Sequence, residues 1–189
     1  MFLSRRPSAA DIERFIQESR DLPLSYGPAG LARSGRQGFG LDEQVAPIGN
    51  GRQVFQRATA ALSEWRHFDL GWVTLFPRGA TIAPRTVVAV LVQHLGFWSL
   101  NACRVLEQFG QPGDVNFGFS YGTLINHAEC GEEIFQVSLE PRTETVFYSI
   151  RAVSRPRALL ARLGYPLTRS FQARFRRDSA AAMRRAVSG

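Results

Sequence analysis

Six consecutive segments between residues 72 and 153 are rich in β-branched and aromatic residues, and turn signals separate most of them. The segments are Trp72 to Phe76, Thr86 to Leu95, Phe97 to Gln108, Val115 to Thr123, Glu133 to Leu139 and Thr145 to Val153. In the fourth, Val115, Phe117, Phe119 and Tyr121 alternate with small or polar residues, as in a strand with one buried face. A run of strands joined by short turns predicts an antiparallel meander.

After Pro156 the apolar residues recur with the helical period of 3.6. The pattern begins with Leu160 and Leu163 and continues through Leu167, Phe171, Phe175, Ala182, Met183 and Ala186, interrupted by Ser179. A helix from Leu167 to about Val187 would be roughly 30 Å long, enough to cross a sheet. The chain is therefore predicted to be α+β, with a curved antiparallel sheet of about seven strands gripping a long C-terminal helix.

The N-terminal third has three further elements. Ser8 and Asp11 predict a capped helix from about Ala9 to Ser19, and Asp21 to Arg36 is expected to be irregular. A strand is predicted from Phe39 to Val45. A second helix, capped by Asn50, should carry a stripe of Val54, Ala58, Ala61 and Trp65. The length of 189 residues favours one domain, with residues 1–36 preceding a helix-grip core over 37–189.

The positive charge of the chain is concentrated at its C-terminal end. Residues 151–189 contain ten arginines against Asp178 alone. Arg169, Arg174, Arg176, Arg177, Arg184 and Arg185 fall largely off the apolar stripe of the predicted helix. This face could be solvated or could contact an anionic membrane or partner. Nucleic acid is not expected, since Phe171 and Phe175 lie on the face predicted to be buried.

Two further sequence features bear on the cellular location of the protein. No segment has the roughly 18 uninterrupted apolar residues of a membrane span, and Val87 to Val105 is interrupted by polar residues. Cys103 and Cys130 are too few for a disulfide scaffold, so a reducing compartment is the simplest interpretation. A cytoplasmic location is predicted.

Several blocks together resemble the bacterial and plant domain-of-unknown-function family nineteen-ninety. They are Trp65 to Trp72, Gly96 to Asn101, Phe117 to Leu124, His127 to Glu133, Ser154 to Pro156 and Leu163 to Pro166. The order of elements is also similar to the helix-grip fold of START-like lipid-transfer proteins and polyketide cyclases. That resemblance implies a curved sheet wrapped around the C-terminal helix and an apolar cavity between them. It rests on topology and carries over no functional residue.

The leading hypothesis is a binding module for a lipid-like or aromatic metabolite. The expected cavity lining is Phe117, Phe119, Tyr121, Phe135, Phe171 and Phe175. The Tyr121 hydroxyl could orient a ligand, or the ring could belong to a filled core. Arg104 could pair with an acidic ligand or with Glu129, or it could lie at an edge in contact with water.

The densest group of potential ligands is His127, Glu129, Cys130, Glu132 and Glu133. A polar hairpin, a ligand-contacting cluster and a metal site are the three interpretations. The spacing matches no zinc signature, and neither a metal nor a cofactor is predicted. In the alternative hypothesis of a cyclase, isomerase or hydrolase, His127, Glu129 and Tyr121 are the polar groups that act in the cavity. His67 and Asp69 could form an acid/base pair or cap a helix-to-strand junction.

Overall fold

The helices and strands follow one another along the chain as the periodicities suggest. A computed structural model describes residues 1–111, 114–156 and 165–188, with side chains for 165–168 excepted. The elements are β1 (Phe2–Leu3), α1 (Ala9–Ser19), α2 (Leu31–Ser34), β2 (Gly40–Asn50), α3 (Arg52–Ser63), a 3₁₀ turn (Arg66–Phe68), β3 (Val73–Phe76), β4 (Val87–Gln93), β5 (Trp98–Phe109), β6 (Asn116–Thr123), β7 (Glu129–Leu139), β8 (Thr145–Pro156) and α4 (Tyr165–Val187). None of the described helices has the length and apolar character needed to cross a membrane.

Seven strands form one antiparallel sheet in the order β2-β8-β7-β6-β5-β4-β3, and β1 pairs with the start of β5. The predicted meander from β3 to β8 is confirmed, and β2 extends the sheet as an edge strand paired with β8. Register shifts in β2 and β5 mark bulges, which increase the local bend of a sheet. The curled sheet grips α4, so the predicted helix-grip fold is confirmed.

The inner, concave face of the sheet packs against α3, the 3₁₀ turn and α4. Ser179, the polar interruption in the apolar stripe of α4, is fully buried and lies 2.8 Å from the hydroxyl of Tyr148 on β8. This hydrogen bond satisfies two buried hydroxyl groups and aligns α4 with the sheet. A buried polar residue at this position therefore serves the packing of the helix.

The outer face of the sheet is covered by the N-terminal segment. Ile12, Phe15 and Ile16 of α1 pack on β4 and β5, and the predicted capping box of Ser8 and Asp11 is confirmed. Further along, the buried Glu132 carboxylate accepts hydrogen bonds from the Tyr26 hydroxyl and from three backbone N–H groups at the start of α2. Both faces of the central strands are therefore covered by protein.

Several boundaries differ from the sequence-based expectation. β7 begins at Glu129 rather than Glu133, because it pairs with β8 as far as Pro156. β2 continues to Asn50 through pairing with Thr145, so Gly51, with φ of 90°, precedes α3 in place of the expected Asn50 cap. Short β1 and α2 were not predicted. Leu160 and Leu163 lie outside the described residues, as does the side chain of Leu167.

Candidate functional site

A cavity of about 600 Å³ lies between the concave face of the sheet and α4. Its sheet wall comes from β3 to β8 and the edge of β2, and its helix wall comes from Phe171, Gln172, Phe175 and Arg176. The segment Phe2 to Ser4 and the turn between β4 and β5 form one rim. Because Ser4 is solvent-exposed, the cavity reaches the surface at this rim.

Aromatic rings form much of the apolar lining. The ring centroids of Phe68 and Phe175 are 5.2 Å apart, and those of Trp72 and Phe171 are 5.9 Å apart. Aliphatic side chains of the sheet complete the apolar wall: Val73, Val90, Val92, Ile150 and Ala152. The lining is suited to an apolar or aromatic body, because such surface gains free energy on leaving water.

Tyr121 and Glu133 form a polar pair in the cavity wall. They are cross-strand partners on β6 and β7, and the phenol donates a hydrogen bond of 2.8 Å to Glu133 Oε2. Burial raises the pKa of Glu133 to about 7, with a further contribution from the charge of Glu129, although the hydrogen bond acts in the opposite direction. Burial, together with the Glu133 carboxylate, also raises the pKa of Tyr121.

Glu129 and His127 lie at the start of β7. Gln172 on α4 donates Nε2 to both carboxylate oxygens of Glu129, at 3.1 and 3.0 Å, and burial raises the pKa of this carboxyl group. His127 Nδ1 accepts the N–H of Glu129 at 2.9 Å. Burial lowers the pKa of His127 to about 3, so the ring is neutral and carries its proton on Nε2.

Asp42 on β2 joins the cavity wall to α4. Arg169 contacts both of its carboxylate oxygens, with Nη2 to Oδ1 at 2.7 Å, and Arg176 Nη1 lies 3.3 Å from Oδ1. The prediction that these arginines lie off the packed face is wrong for Arg176, whose side chain is 16% exposed. Arg174, Arg177, Arg184 and Arg185 are exposed as expected.

A second polar strip comes from the start of β5. Ser99 Oγ lies 2.8 Å from His94 Nε2, and Asn101 donates Nδ2 to Ser99 Oγ at 3.0 Å. Asn101 Oδ1 accepts the N–H of Ala128 at 3.3 Å. These hydrogen bonds tie the rim of the cavity to the loop that carries His127.

Five of the predicted ligand-contacting residues line this cavity: Tyr121, His127, Glu129, Phe171 and Phe175. Phe119 and Phe135 are on the correct face but are fully buried under the rings of Trp65 and His67, at centroid distances of 4.8 and 4.7 Å. Phe117 also packs against this core and does not line the cavity. Side chains fill the space between this part of the sheet and the layer formed by α3 and the 3₁₀ turn. The cavity therefore lies beyond this layer.

The prediction for Arg104 requires a correction, because this residue lies on the outer face of the sheet with Leu100 and Ala102. Its Nη2 donates to the carbonyl oxygens of Arg20 and Leu22, at 2.6 and 2.8 Å. The expected contact with a cavity ligand or with Glu129 is not formed. Arg104 instead anchors the segment that follows α1.

The polar group from His127 to Glu133 divides between the two faces of β7. Glu129 and Glu133 point into the cavity, whereas Cys130 and Glu132 contact the N-terminal layer, as the alternation of a strand requires. In the described part of the chain, no three His, Cys, Asp or Glu side chains are arranged to hold a metal ion.

His67 and Asp69 do not form an acid/base pair. His67 is fully buried among aromatic rings, and neither ring nitrogen has a hydrogen-bond partner within the described residues. Asp69 is exposed and pairs with Arg66 at 3.1 Å.

Asp42 and the strip of Ser99 and Asn101 are site residues that the sequence analysis missed. Asp42 alternates with Gln44, Ala46 and Ile48, of which the last two are core residues. That period of two would have indicated a charged group on the concave face.

The family model described as "Domain of unknown function (DUF1990)" matches residues 25–182. A UPF0548 protein of Dictyostelium discoideum is 35% identical over 207 aligned residues, covering 99% of this chain and 96% of the relative. A UPF0548 protein of Deinococcus radiodurans is 32% identical, with 99% of each chain covered.

Among solved structures, hypothetical protein jhp0584 from Helicobacter pylori superposes with a TM-score of 0.54 at 10% sequence identity. The match covers 86% of this chain and 95% of that protein. At this level of identity the similarity concerns the fold alone.

Proposed function

The chain belongs to the DUF1990 family, and we propose that it binds one small molecule with an apolar or aromatic body in the cavity between the sheet and α4. The observation that carries this proposal is the cavity itself. Its volume of about 600 Å³ falls within the roughly 300–1,000 Å³ of small-molecule sites. Its walls combine aromatic rings with a few convergent polar groups, which is the usual composition of such sites.

The size of the cavity argues against an ordinary core. Protein interiors are close-packed, and voids larger than a water molecule are few. The sheet next to the cavity is packed in this way, since Phe119 and Phe135 are fully buried. Phe171 and Phe175 are only partly buried where they line the cavity, so a bound apolar molecule would gain dispersion contacts with both rings.

Native mass spectrometry of the protein purified from its own host, followed by solvent extraction, tests the proposal. A copurified molecule in a one-to-one ratio is expected. Protein that repeatedly carries no adduct would contradict it.

A matched pair of variants ties any adduct to the cavity. Val90→Trp places a large ring in the cavity, because Val90 lines its wall, and should abolish the adduct. Val45→Trp makes the same change on the outer face, where Val45 is 66% exposed, and should retain it. Circular dichroism and thermal unfolding establish that both variants are folded, and Val92→Phe provides a milder filling if Val90→Trp unfolds.

An enzyme of cyclase, isomerase or hydrolase type is the second candidate. It is favoured by the convergence of Tyr121, His127 and Glu129 on one cavity beside Glu133, whose pKa of about 7 suits a general acid or base. With the copurified molecule as substrate, His127→Ala should abolish turnover while binding persists, and Glu133→Gln should abolish turnover even at saturating substrate. Turnover that survives both changes would exclude these groups from catalysis.

A further inference from the structure

The charges around the cavity are not evenly matched. Three carboxylates line it, those of Asp42, Glu129 and Glu133, and Arg176 is the guanidinium among the described lining residues. Asp42 already has two cationic partners, Arg169 and Arg176. Among the described residues, the cluster therefore contains three carboxyl groups against two guanidinium groups, and the surplus lies at Glu129 and Glu133.

Glu129 and Glu133 are held by neutral groups. Glu129 accepts from the amide of Gln172, and Glu133 accepts from the phenol of Tyr121. Neither forms an ion pair within the described part of the chain: Arg169 acts to lower the pKa of Glu129 and Arg176 that of Glu133, but both guanidinium groups are paired with Asp42. His94 and His127 supply no compensating charge, because burial lowers the pKa of each ring. A buried carboxylate without a cation is costly, and such a group either takes up a proton or binds a cation.

The rest of the lining also suits a cation with an apolar body. Aromatic faces attract ammonium groups, and Phe68, Phe97, Phe171 and Phe175 line the same cavity. Trp72 also lines it, but the guanidinium of Arg174 already lies over this ring, 4.4 Å from its centroid. An anion would meet the opposite situation. Arg176 is already paired with Asp42 and lies close enough to Glu133 to affect its ionisation, so an anion brought to Arg176 would also meet the field of the carboxylates.

We propose that the ligand of this cavity is an amphiphilic amine, whose protonated nitrogen binds at Glu133 and Glu129 while its aromatic or aliphatic body packs against the rings. This inference rests on the proposed binding function and specifies the chemical class of the ligand. The described titratable and charged groups that interact electrostatically with Glu133 lie on β2, β5, β6, β7, β8 and α4: Asp42, Cys103, Tyr121, Glu129, Tyr148 and Arg176.

Three probes with one ring system and different head groups test the class of ligand. They are 2-(2-naphthyl)ethylamine, 2-(2-naphthyl)ethanol and 2-naphthylacetate, and binding is measured by isothermal titration calorimetry at about pH 8, where the carboxyl group of Glu133 is ionised and the alkylamine is still protonated. The amine should bind about tenfold or more tightly than the alcohol, since a desolvated charge pair contributes at least about 1.4 kcal/mol. The acid should bind most weakly.

The site of the ammonium group is tested by Glu133→Gln. This change should reduce affinity for the amine about tenfold and leave affinity for the alcohol unchanged. Glu13→Gln, at an exposed position on α1, should alter neither.

The proton released from Glu133 when the amine binds provides a second measurement. Below a pH of about 7 the cation must displace the proton on Glu133, so amine affinity should rise with pH up to about 7 and then level off. Calorimetry at about pH 6 in buffers of different ionisation enthalpy should detect a proton released by the amine but not by the alcohol.

The outcomes separate this inference from the binding function. Equal affinity for the amine and the alcohol, or tightest binding of the acid, would overturn the proposal that the ligand is an amine. The cavity would still be a binding site. If none of the three probes binds and no adduct is found on the native protein, the binding function fails as well.

Discussion

The phenol of Tyr121 donates a hydrogen bond of 2.8 Å to the carboxyl group of Glu133 inside the cavity. The pairing of β6 with β7 places the two side chains directly opposite each other. Burial keeps the pKa of Glu133 at about 7 in spite of this hydrogen bond. The carboxyl group therefore changes its charge near neutral pH, and this links the stability of the protein to the chemistry of its cavity.

Glu133→Gln should change how stability depends on pH. An unfolded glutamate titrates near pH 4.3, so the folded chain binds more protons between about pH 4.3 and 7. The contribution of Glu133 to the free energy of unfolding should therefore decrease as pH rises through this window. Glutamine does not ionise, so the stability of the variant should not decrease in this way as pH rises. At pH 8 the variant should be more stable than the wild type by about 1–3 kcal/mol, as measured by urea denaturation. Glu13→Gln is the exposed control, and an unchanged pH profile in Glu133→Gln would refute the assignment.

His67→Phe should make the protein more resistant to acid. Burial lowers the pKa of His67 to about 3, against about 6.5 for an unfolded histidine. The stability that comes from its neutral ring is complete above about pH 6.5 and is lost as pH falls towards 3. Phenylalanine keeps the aromatic packing and removes the titration, so the acid midpoint observed by circular dichroism should move to lower pH. At neutral pH the change should cost no more than about 1.5 kcal/mol. A midpoint identical to that of the wild type would contradict the prediction.

Glu132→Ala should loosen the N-terminal layer. Glu132 is 2% exposed, and its removal leaves the hydroxyl of Tyr26 and the N–H groups of residues 30–32 without their acceptor. The free energy of unfolding should fall by about 3–5 kcal/mol, because a buried group loses its partner. Proteolysis between residues 20 and 36 should accelerate.

Glu107, whose side chain is 44% exposed, provides the comparison for Glu132. Its carboxylate pairs with Arg33 at 2.7 Å, and Glu107→Ala should cost less than about 1 kcal/mol. Equal losses from the two variants would show that the carboxylate of Glu132 does not organise α2.

Asp42→Asn should weaken the attachment of α4 to the sheet. The buried carboxylate of Asp42 forms ion pairs with Arg169 and Arg176. Its negative charge compensates the charges of the two guanidinium groups. The free energy of unfolding should fall by about 2–4 kcal/mol, and amide hydrogen exchange over residues 169–187 should become faster. Glu43→Gln changes the next residue of β2, which points to the opposite face and pairs with Arg151 near the surface. Exchange rates in α4 that are the same in both variants would contradict the proposed role of Asp42.

Sequence periodicity predicted the fold well because it records local requirements. The alternation around Phe119 and Tyr121 and the helical spacing around Phe171 and Phe175 each define a buried face. These faces can be satisfied together by a sheet that wraps a helix. The cap at Ser8 and the approximate limits of most strands follow from the same local chemistry.

Periodicity alone could not separate the cavity from the filled core. Phe119 and Tyr121 lie on the same face of β6, two residues apart, yet Phe119 is covered by Trp65 while Tyr121 lines the cavity. The difference comes from α3 and the 3₁₀ turn, which extend over only part of the sheet.

The spacing of apolar residues was enough to predict which residues share a face, which segments are strands or helices, and that the C-terminal helix needs a sheet. The packing of distant segments sets which face of β5 holds Arg104, where the cavity begins, and that Asp42 meets Arg169 and Arg176. A strand's period only assigns alternate side chains to two faces. What covers each face depends on segments far away in the chain.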